Sequence, residues 1–238
     1  MIVVTKAIVI SVIKYGDSSL IVKCLTAAAG MKSYLLKGVR NAKKGKLKVG
    51  YFQPLTQLEI IANHKDKGTL DTIRDVKVSY PYQSLHIDVR KNAIAFFLAE
   101  VLSLSIYEEE DTQMMFRFIE SALQWLDVHN EVSNFHIAFL LMLTRYLGFY
   151  PDDSHKELPF FDLEEGAFTA NATSTAITDE NLECFKSFLG IVFDDIPLIK
   201  LSRARRRELV KILITYFELH LQGFRKPKSM VVLNEVFN

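Results

Sequence analysis

The first 80 residues alternate short apolar runs with polar turns, a pattern that favours β-strands. Apolar side chains recur at a spacing of two at Leu20, Val22 and Cys24, which places them on one face of a strand. The alternation is imperfect, as expected when a barrel buries one face of a strand and a neighbouring domain covers part of the other. Five strands are predicted: Ile2–Ile13, Ser19–Thr26, Lys32–Lys37, Gln53–Ile61 and Thr69–Ser79.

After residue 81 the apolar spacing becomes that of helices. Val89–Ile106 and Phe135–Leu147 are predicted helices, and the second is apolar on nearly every side, as is typical of a central helix. Thr178 is predicted to cap one further helix, and Ser202 to open a long helix that Gly223 ends. Another helix is predicted from an apolar stripe: Met115, Phe118, Ile119, Ala122 and Leu126.

These patterns predict an α+β protein with two domains. Residues 1–80 are expected to form a small closed β-barrel, and the OB-fold is the commonest barrel of five strands. Residues 81–238 are expected to form an all-α domain, interrupted by an irregular segment at residues 149–177. The longest apolar stretch, Ile137–Leu143, is far shorter than the about 20 residues that span a membrane. It is expected to be a buried helix instead. Only two cysteines occur, far apart in sequence, which fits a reducing compartment, and we expect a cytoplasmic protein.

Charge is distributed very unevenly along the chain. Residues 1–80 carry 14 Lys and Arg against 5 Asp and Glu, whereas residues 81–200 carry 7 against 20. The formal net charge of the whole chain is nevertheless only +1. Such an imbalance indicates a polyanionic partner for the basic part, and nucleic acid is the commonest one. The simpler alternative is that the charges only keep each surface solvated.

The densest basic segment runs from Lys37 to Lys48 and holds six basic residues and no acidic one. Lys and Arg neutralise phosphates with little sequence preference. Tyr34, Tyr51 and Phe52 flank the segment, and exposed aromatic rings can stack on unpaired bases. The alternatives are a solvated loop for the lysines and a place in the barrel core for Phe52.

A second basic cluster follows Ser202 and contains Arg203, Arg206 and Arg207. If Ser202 caps the helix, these arginines lie in its first turn, where the helix dipole disfavours cations. At helical spacing Arg203, Arg207 and Lys211 share one face. Such a departure from a local rule can mark an anion-binding function. The alternative, which the sequence leaves open, is pairing with the acidic middle of the chain.

No motif predicts catalysis. The acidic pairs lack a partner histidine or a defined ligand spacing, and the six histidines are scattered. No nucleophile elbow, phosphate-binding glycine loop or dinucleotide motif is found. Cys24 and Cys184 are far apart in sequence, which fits a reducing compartment and two inert thiols. We expect a protein that is not an enzyme and uses no cofactor.

The order and spacing of several segments resemble the RecO family of bacterial recombination mediators. In the barrel these are Lys14-Tyr15-Gly16, Ser19-Leu20-Ile21, Thr26, Gly30, Lys37-Gly38-Val39-Arg40 and Gln53-Pro54-Leu55-Thr56. In the helical part they are Leu143 to Gly148, Lys228-Ser229, Leu233 and Phe237. The resemblance spans nearly the whole chain, although no single motif is decisive.

The resemblance implies an OB-fold that binds single- and double-stranded DNA, anneals strands and helps to load recombinase onto coated single strands. It implies two protein partners, RecR and the acidic, aromatic-ended tail of the single-stranded-DNA-binding protein. It also implies association with the nucleoid. The expected tail-binding residues are Arg203, Arg206, Arg207 and Lys211. The expected DNA-binding residues are Lys14, Tyr15, Lys37, Arg40, Lys43, Lys44, Lys46, Lys48 and Tyr51. A protein–protein adaptor and an RNA-binding OB module are the competing hypotheses.

The chain departs from the family pattern at one place. Many members carry a four-cysteine zinc motif after the Leu-Gly helix, but residues 149–177 contain no cysteine. Two distant cysteines cannot form a tetrahedral thiolate site. We therefore expect no structural zinc, and expect this segment to be held by Phe160, Phe161 and Phe168 packing on the helices.

Overall fold

The computed structural model describes residues 1–41, 47–65, 70–107 and 112–237. The N-terminal part is a five-stranded antiparallel sheet with the strand order β3-β2-β1-β4-β5. Tyr80, the last residue of β5, coincides with the end of the predicted barrel domain. The strands are β1 (Ile2–Tyr15), β2 (Ser19–Thr26), β3 (Gly30–Leu36), β4 (Gln57–Asn63) and β5 (Thr72–Tyr80).

Strand β1 is buried on both faces, which explains the imperfect alternation in the sequence. Ala7 and Val9 point into the core of the sheet with Val22 of β2. Ile8 and Ile10 point the other way and belong to the core of the helical part. The prediction that a neighbouring domain covers part of the outer face is confirmed.

The sheet is OB-like, but it does not close into the expected barrel. Among the described residues, its two edge strands, β3 and β5, approach each other at one parallel bridge, between Tyr34 and Asp71. Around this bridge, the Leu35 amide donates to the Asp71 carbonyl at 2.8 Å and the Asp71 amide donates to the Ser33 carbonyl at 3.0 Å. The bridging residue Asp71 precedes β5, so the edge strands meet there rather than along a continuous ladder.

Strand β4 begins later than the sequence predicts. The predicted start at Gln53 is wrong because a single 3₁₀ turn, Val49–Phe52, precedes it and Leu55 adopts a left-handed backbone with φ 62°. The Leu55 amide donates to the Val9 carbonyl at 2.7 Å, and its side chain is fully buried. Regular pairing with β1 therefore starts only at Gln57.

Six α-helices are found among the described residues, and none is both long and apolar enough to cross a membrane. Ser202 caps α5 as predicted, its hydroxyl accepting from the Arg205 amide at 3.2 Å. Helix α5 ends at His220, three residues before the predicted stop at Gly223. The bounds are α1 (Val89–Ser105), α2 (Gln113–Val128), α3 (Phe135–Tyr146), α4 (Asp179–Lys186), α5 (Arg203–His220) and α6 (Met230–Val236).

The segment 149–177, expected to be irregular, contains a small antiparallel sheet. Its strands β6 (Phe160–Asp162), β7 (Ala167–Thr169) and β8 (Ala176–Ile177) lie in the order β7-β6-β8. Phe161 is fully buried, with its ring centroid 4.7 Å from that of Phe185 in α4. Phe168 is buried as well, and Phe160 is half-buried. The helical domain is thus not purely α, because side-chain packing holds strands too short to show a period.

The chain passes from the sheet into the helices through a buried polar cluster. The Asp127 carboxylate of α2 accepts from the backbone amides of Gln83, Ser84 and Leu85 at 2.8–2.9 Å. The Lys91 ammonium donates to the Asp127 carbonyl at 2.6 Å and to the Ser84 hydroxyl at 2.7 Å. Because buried polar groups need partners, this network fixes the connecting segment against α1 and α2.

Candidate nucleic-acid interface

A basic end of the sheet forms where the β1–β2 turn meets the segment after β3. The Arg40 amide donates to the Ser18 carbonyl at 3.0 Å, and the Arg40 guanidinium donates to the Asp17 carbonyl at 2.9 Å. The Gly38 amide reaches the Ser19 hydroxyl at 3.3 Å. Gly16 and Gly38 both have positive φ angles, so each tight turn depends on glycine.

This arrangement brings four of the predicted DNA-binding residues together. We call Lys14, Tyr15, Lys37 and Arg40 the basic end; all four are exposed, and Tyr15 retains 54% of its accessible surface. The side chains of Lys14, Tyr15 and Lys37 thus face solvent at the tip of a strand pair. Arg40 also holds the two turns together, so its role is partly structural.

Two further predicted residues lie where the basic segment returns to the sheet. The Lys48 ammonium is 5.9 Å from the centroid of the Tyr51 ring, within the range of a cation–π contact. Tyr51 is half-buried against the core of the sheet. The predicted residues Lys43, Lys44 and Lys46 lie outside the described residues.

Two of the aromatic residues that flank the basic segment are not available to bases. Tyr34 is fully buried, and its hydroxyl lies 2.9 Å from Nε2 of His64. Burial also raises the pKa of the Tyr34 hydroxyl far above its usual value. Phe52 is buried in the core of the sheet, as the alternative interpretation held.

Sequence reasoning missed an apolar strip beside the basic end. Ile13 of β1 pairs with Ile21 of β2, which pairs in turn with Leu35 of β3. Their chain neighbours Leu20 and Leu36 point into the core, so these three side chains point outward. Ile13 is 62% exposed, and the other two are half-buried. We call Ile13, Ile21 and Leu35 the apolar strip; only the strand register reveals it.

The helical domain leaves the basic end uncovered. It contacts the first half of β1 instead, where the Lys6 ammonium pairs with the Glu120 carboxylate at 2.8 Å. The Gln57 amide donates to the Glu120 carbonyl at 3.0 Å, and the Gln124 amide donates to Gln57 at the same distance. Tyr15 lies five residues beyond Ile10, or about 16 Å along the strand. The acidic domain therefore does not shield the basic end.

A second basic feature is a pocket beside the first turn of α5, which we call the arginine pocket. Apolar side chains of Val210, Leu233 and Phe237 form its wall. The arginines and two polar residues complete the lining: Arg203, Arg206, Arg207, His136 and Asn234. The Arg206 guanidinium donates to the Asn134 side-chain oxygen at 3.0 Å and to the Leu201 carbonyl at 3.3 Å. Both acceptors are neutral oxygens, and no carboxylate of the described residues forms an ion pair with Arg206.

Other cations near the pocket do pair with acidic groups. Arg205 forms an ion pair with Glu180 of α4. Lys211 pairs with Glu208 of the same helix at 2.9 Å and does not line the pocket. The two interpretations of this cluster, anion binding and pairing with acidic groups, therefore apply to different residues. Arg205 and Lys211 pair with acidic side chains, whereas Arg206 is hydrogen-bonded to neutral oxygens.

The donor set does not fit a structural zinc site. The chain has two cysteines, of which Cys24 is buried in the sheet and Cys184 is in α4. Burial raises the pKa of the Cys24 thiol to about 12, which disfavours the thiolate that a metal needs. Among the described residues, no group of three or more His, Cys, Asp or Glu side chains has the geometry to hold a metal ion.

Comparison with known proteins identifies the family. The model of the recombination protein O N-terminal domain matches residues 1–82, and that of the C-terminal domain matches residues 86–230. This chain belongs to the RecO family. The family relationship supports a role in DNA repair and recombination.

Relatives match over nearly the whole chain. A DNA repair protein RecO from Flavobacterium psychrophilum is 48% identical over 98% of both chains. One from Christiangramia forsetii is 46% identical over the full length of both chains, and one from Bacteroides fragilis is 33% identical over 98% of both. The sequence similarity to RecO proteins thus extends over nearly the whole chain.

Proposed function

We propose that this RecO-family chain is a DNA-binding recombination mediator without catalytic turnover, acting on the nucleoid in the cytoplasm. The observation that carries the proposal is the exposed basic end beside the apolar strip. The lysines are placed to neutralise phosphates, and Tyr15 with the strip offers apolar surface to unpaired bases. We extend the proposal to Lys43, Lys44 and Lys46, which follow Arg40 in the sequence.

Such a surface supports binding to both forms of DNA. Contacts to phosphates do not depend on base sequence, so they serve single and double strands alike. Neutralising phosphates also weakens the repulsion between two strands, which favours annealing. Stacking on Tyr15 and the apolar strip requires unpaired bases and therefore favours single strands.

The arginine pocket supports the proposed protein partner. A tail with acidic residues and an aromatic end presents carboxylates to arginines and a ring to an apolar wall. Docking of such a tail from the single-stranded-DNA-binding protein would bring this chain to coated DNA. We propose that recombinase loading proceeds from that complex, with RecR as the second partner.

The test is a charge reversal at the basic end of the full-length protein. Lys14→Glu with Lys37→Glu should weaken binding of a fluorescent oligonucleotide roughly 100-fold at low salt, because two phosphate contacts become repulsive. The slope of log affinity against log salt concentration should fall by about two. Fluorescence anisotropy across a salt series measures both quantities.

The matched control reverses two charges elsewhere on the same sheet. Lys77 pairs with Glu59 on β4, and Lys65 follows β4 at the far end of β1, so Lys65→Glu with Lys77→Glu should bind DNA nearly as the unmodified protein does. Tyr15→Ala should weaken binding to single strands more than to duplex. If Lys14→Glu with Lys37→Glu binds DNA with the same affinity as Lys65→Glu with Lys77→Glu, the basic end is not the DNA-binding site. Tighter binding to RNA than to DNA would favour the RNA module, and no binding to either would favour the adaptor.

A further inference from the structure

One wall of the arginine pocket is formed by an aromatic ring of this chain, that of Phe237. Phe237 follows α6 and packs on the His136 ring, with the centroids 5.7 Å apart. Leu233 of α6 and Val210 of α5 complete the apolar wall around it. The free volume that remains is about 10 Å³, which is barely enough for one water molecule. The pocket is therefore nearly filled by the chain itself.

The pocket wall contains a buried polar atom that lacks a partner. His136 is 2% exposed, and its Nδ1 has no hydrogen-bond partner among the described residues. Burial, together with the nearby Arg206, lowers the pKa of His136 to about 3, so the ring is neutral at pH 7. Unsatisfied buried polar atoms are rare in folded proteins, so this nitrogen calls for an explanation.

The segment that carries Phe237 is a short helix anchored to α1 at its start. Helix α6 has seven residues, of which Met230 and Leu233 are buried. Its start is fixed by the Glu100 carboxylate of α1, which accepts from the backbone amides of Lys228 and Ser229 at 3.0 and 2.8 Å. A helix of two turns has little stability of its own, so its end can open without disturbing the rest of the fold.

We propose that Phe237 is an internal occupant of the arginine pocket, displaced when the aromatic end of an acidic peptide binds. The inference rests on the proposed docking of such a tail and adds its regulation. The arginines that line the pocket attract carboxylates, and the space released by Phe237 fits another ring. The measured affinity for a peptide is then reduced by the fraction of molecules in which the pocket is open.

The test compares the full-length protein with Phe237→Ala. The probe is a synthetic peptide of three aspartates, leucine and a C-terminal phenylalanine, labelled at its N-terminus. Phe237→Ala should bind it about tenfold more tightly, because self-occupation is removed. Val231→Ala alters a 62% exposed residue of the same helix and should leave the affinity unchanged. Arg203→Glu should weaken binding in either background.

A second measurement uses the unmodified protein, so that it does not depend on how a variant folds. Addition of saturating peptide should accelerate amide hydrogen exchange in residues 231–237, since the segment leaves the pocket. If the unmodified protein binds but Phe237→Ala is no tighter and exchange does not change, self-occupation is wrong and tail docking stands. If neither protein binds the peptide, both the docking and its regulation are wrong.

Discussion

At the scale of single residues, Asp162 organises the segment that lacks the zinc motif. Its buried carboxylate accepts from the backbone amides of Glu164 and Glu165 at 2.8 and 3.2 Å. It also accepts from the hydroxyls of Thr173 and Thr175. One side chain thus ties the turn after β6 to the loop before β8. Hydrogen bonds to a carboxylate here join chain segments that are distant in sequence, as a bound metal would.

This role predicts an acid-sensitive segment. The Thr173 hydroxyl and the other donors hold the pKa of Asp162 below its usual value of 3.8 despite burial. A lowered pKa means that the stabilisation is complete at pH values above 3.8 and is lost as the pH falls through the folded-state pKa. Asp162→Asn should lower the free energy of unfolding by about 1–3 kcal/mol at pH 7, as measured by denaturant titration.

The difference between Asp162→Asn and the unmodified protein should shrink below pH 3.8, where the native carboxylate begins to take up a proton. Asp153→Asn is the matched control, because its carboxylate is half exposed and pairs with Lys156 at the surface. A difference that stays constant from pH 7 to pH 3 would show that Asp162 acts through its shape rather than through its charge.

At the scale of elements, the sequence predicts those helices and strands that are long enough for their hydrophobic period to be detected. The bounds of β2 agree with the prediction at both ends, and α3 differs by one residue. The three strands β6 to β8 have two or three residues each, so no period exists to detect. Similarly, the apolar strip spans three strands, and no local pattern in one strand shows which residues of the next two will lie beside it.

Arg203 is expected to lower the stability of helix α5, although we propose that it helps to bind an acidic peptide. Arg203 begins the helix, where the positive end of the dipole and the neighbouring Arg206 both disfavour a cation. Arg203→Glu should therefore raise the free energy of unfolding, by up to about 1 kcal/mol. Lys211→Glu is the control, since it replaces the pairing with Glu208 by repulsion and should not stabilise. Denaturant titration distinguishes them, and a destabilised Arg203→Glu variant would contradict the dipole argument.

At the scale of the whole molecule, the two domains share one continuous core. Five side chains of the sheet pack with the helices and not with the interior of the sheet: Ile8, Ile10, Leu25, Met31 and Leu55. Each of the five is at most 2% exposed. The Asp127 network adds polar contacts at the same junction. The proposed DNA-binding surface is thus carried on a sheet that depends on the helical domain for its outer face.

This dependence predicts that residues 1–82 alone will not form a stable domain. Removing the helices would expose five apolar side chains, each worth about 1.5–3 kcal/mol when buried, or about 10 kcal/mol together. That sum is comparable to the whole stability of a typical domain of 5–15 kcal/mol.

The full chain should accordingly unfold in one transition. The fluorescence of Trp125, the single tryptophan, and hydrogen exchange of the β2 amides should report the same midpoint. A soluble fragment 1–82 with full DNA affinity would contradict this coupling. If the coupling holds, a ligand that loosens the helical domain will also destabilise the sheet that carries the proposed DNA-binding surface, because the two domains are stabilised by the same buried side chains.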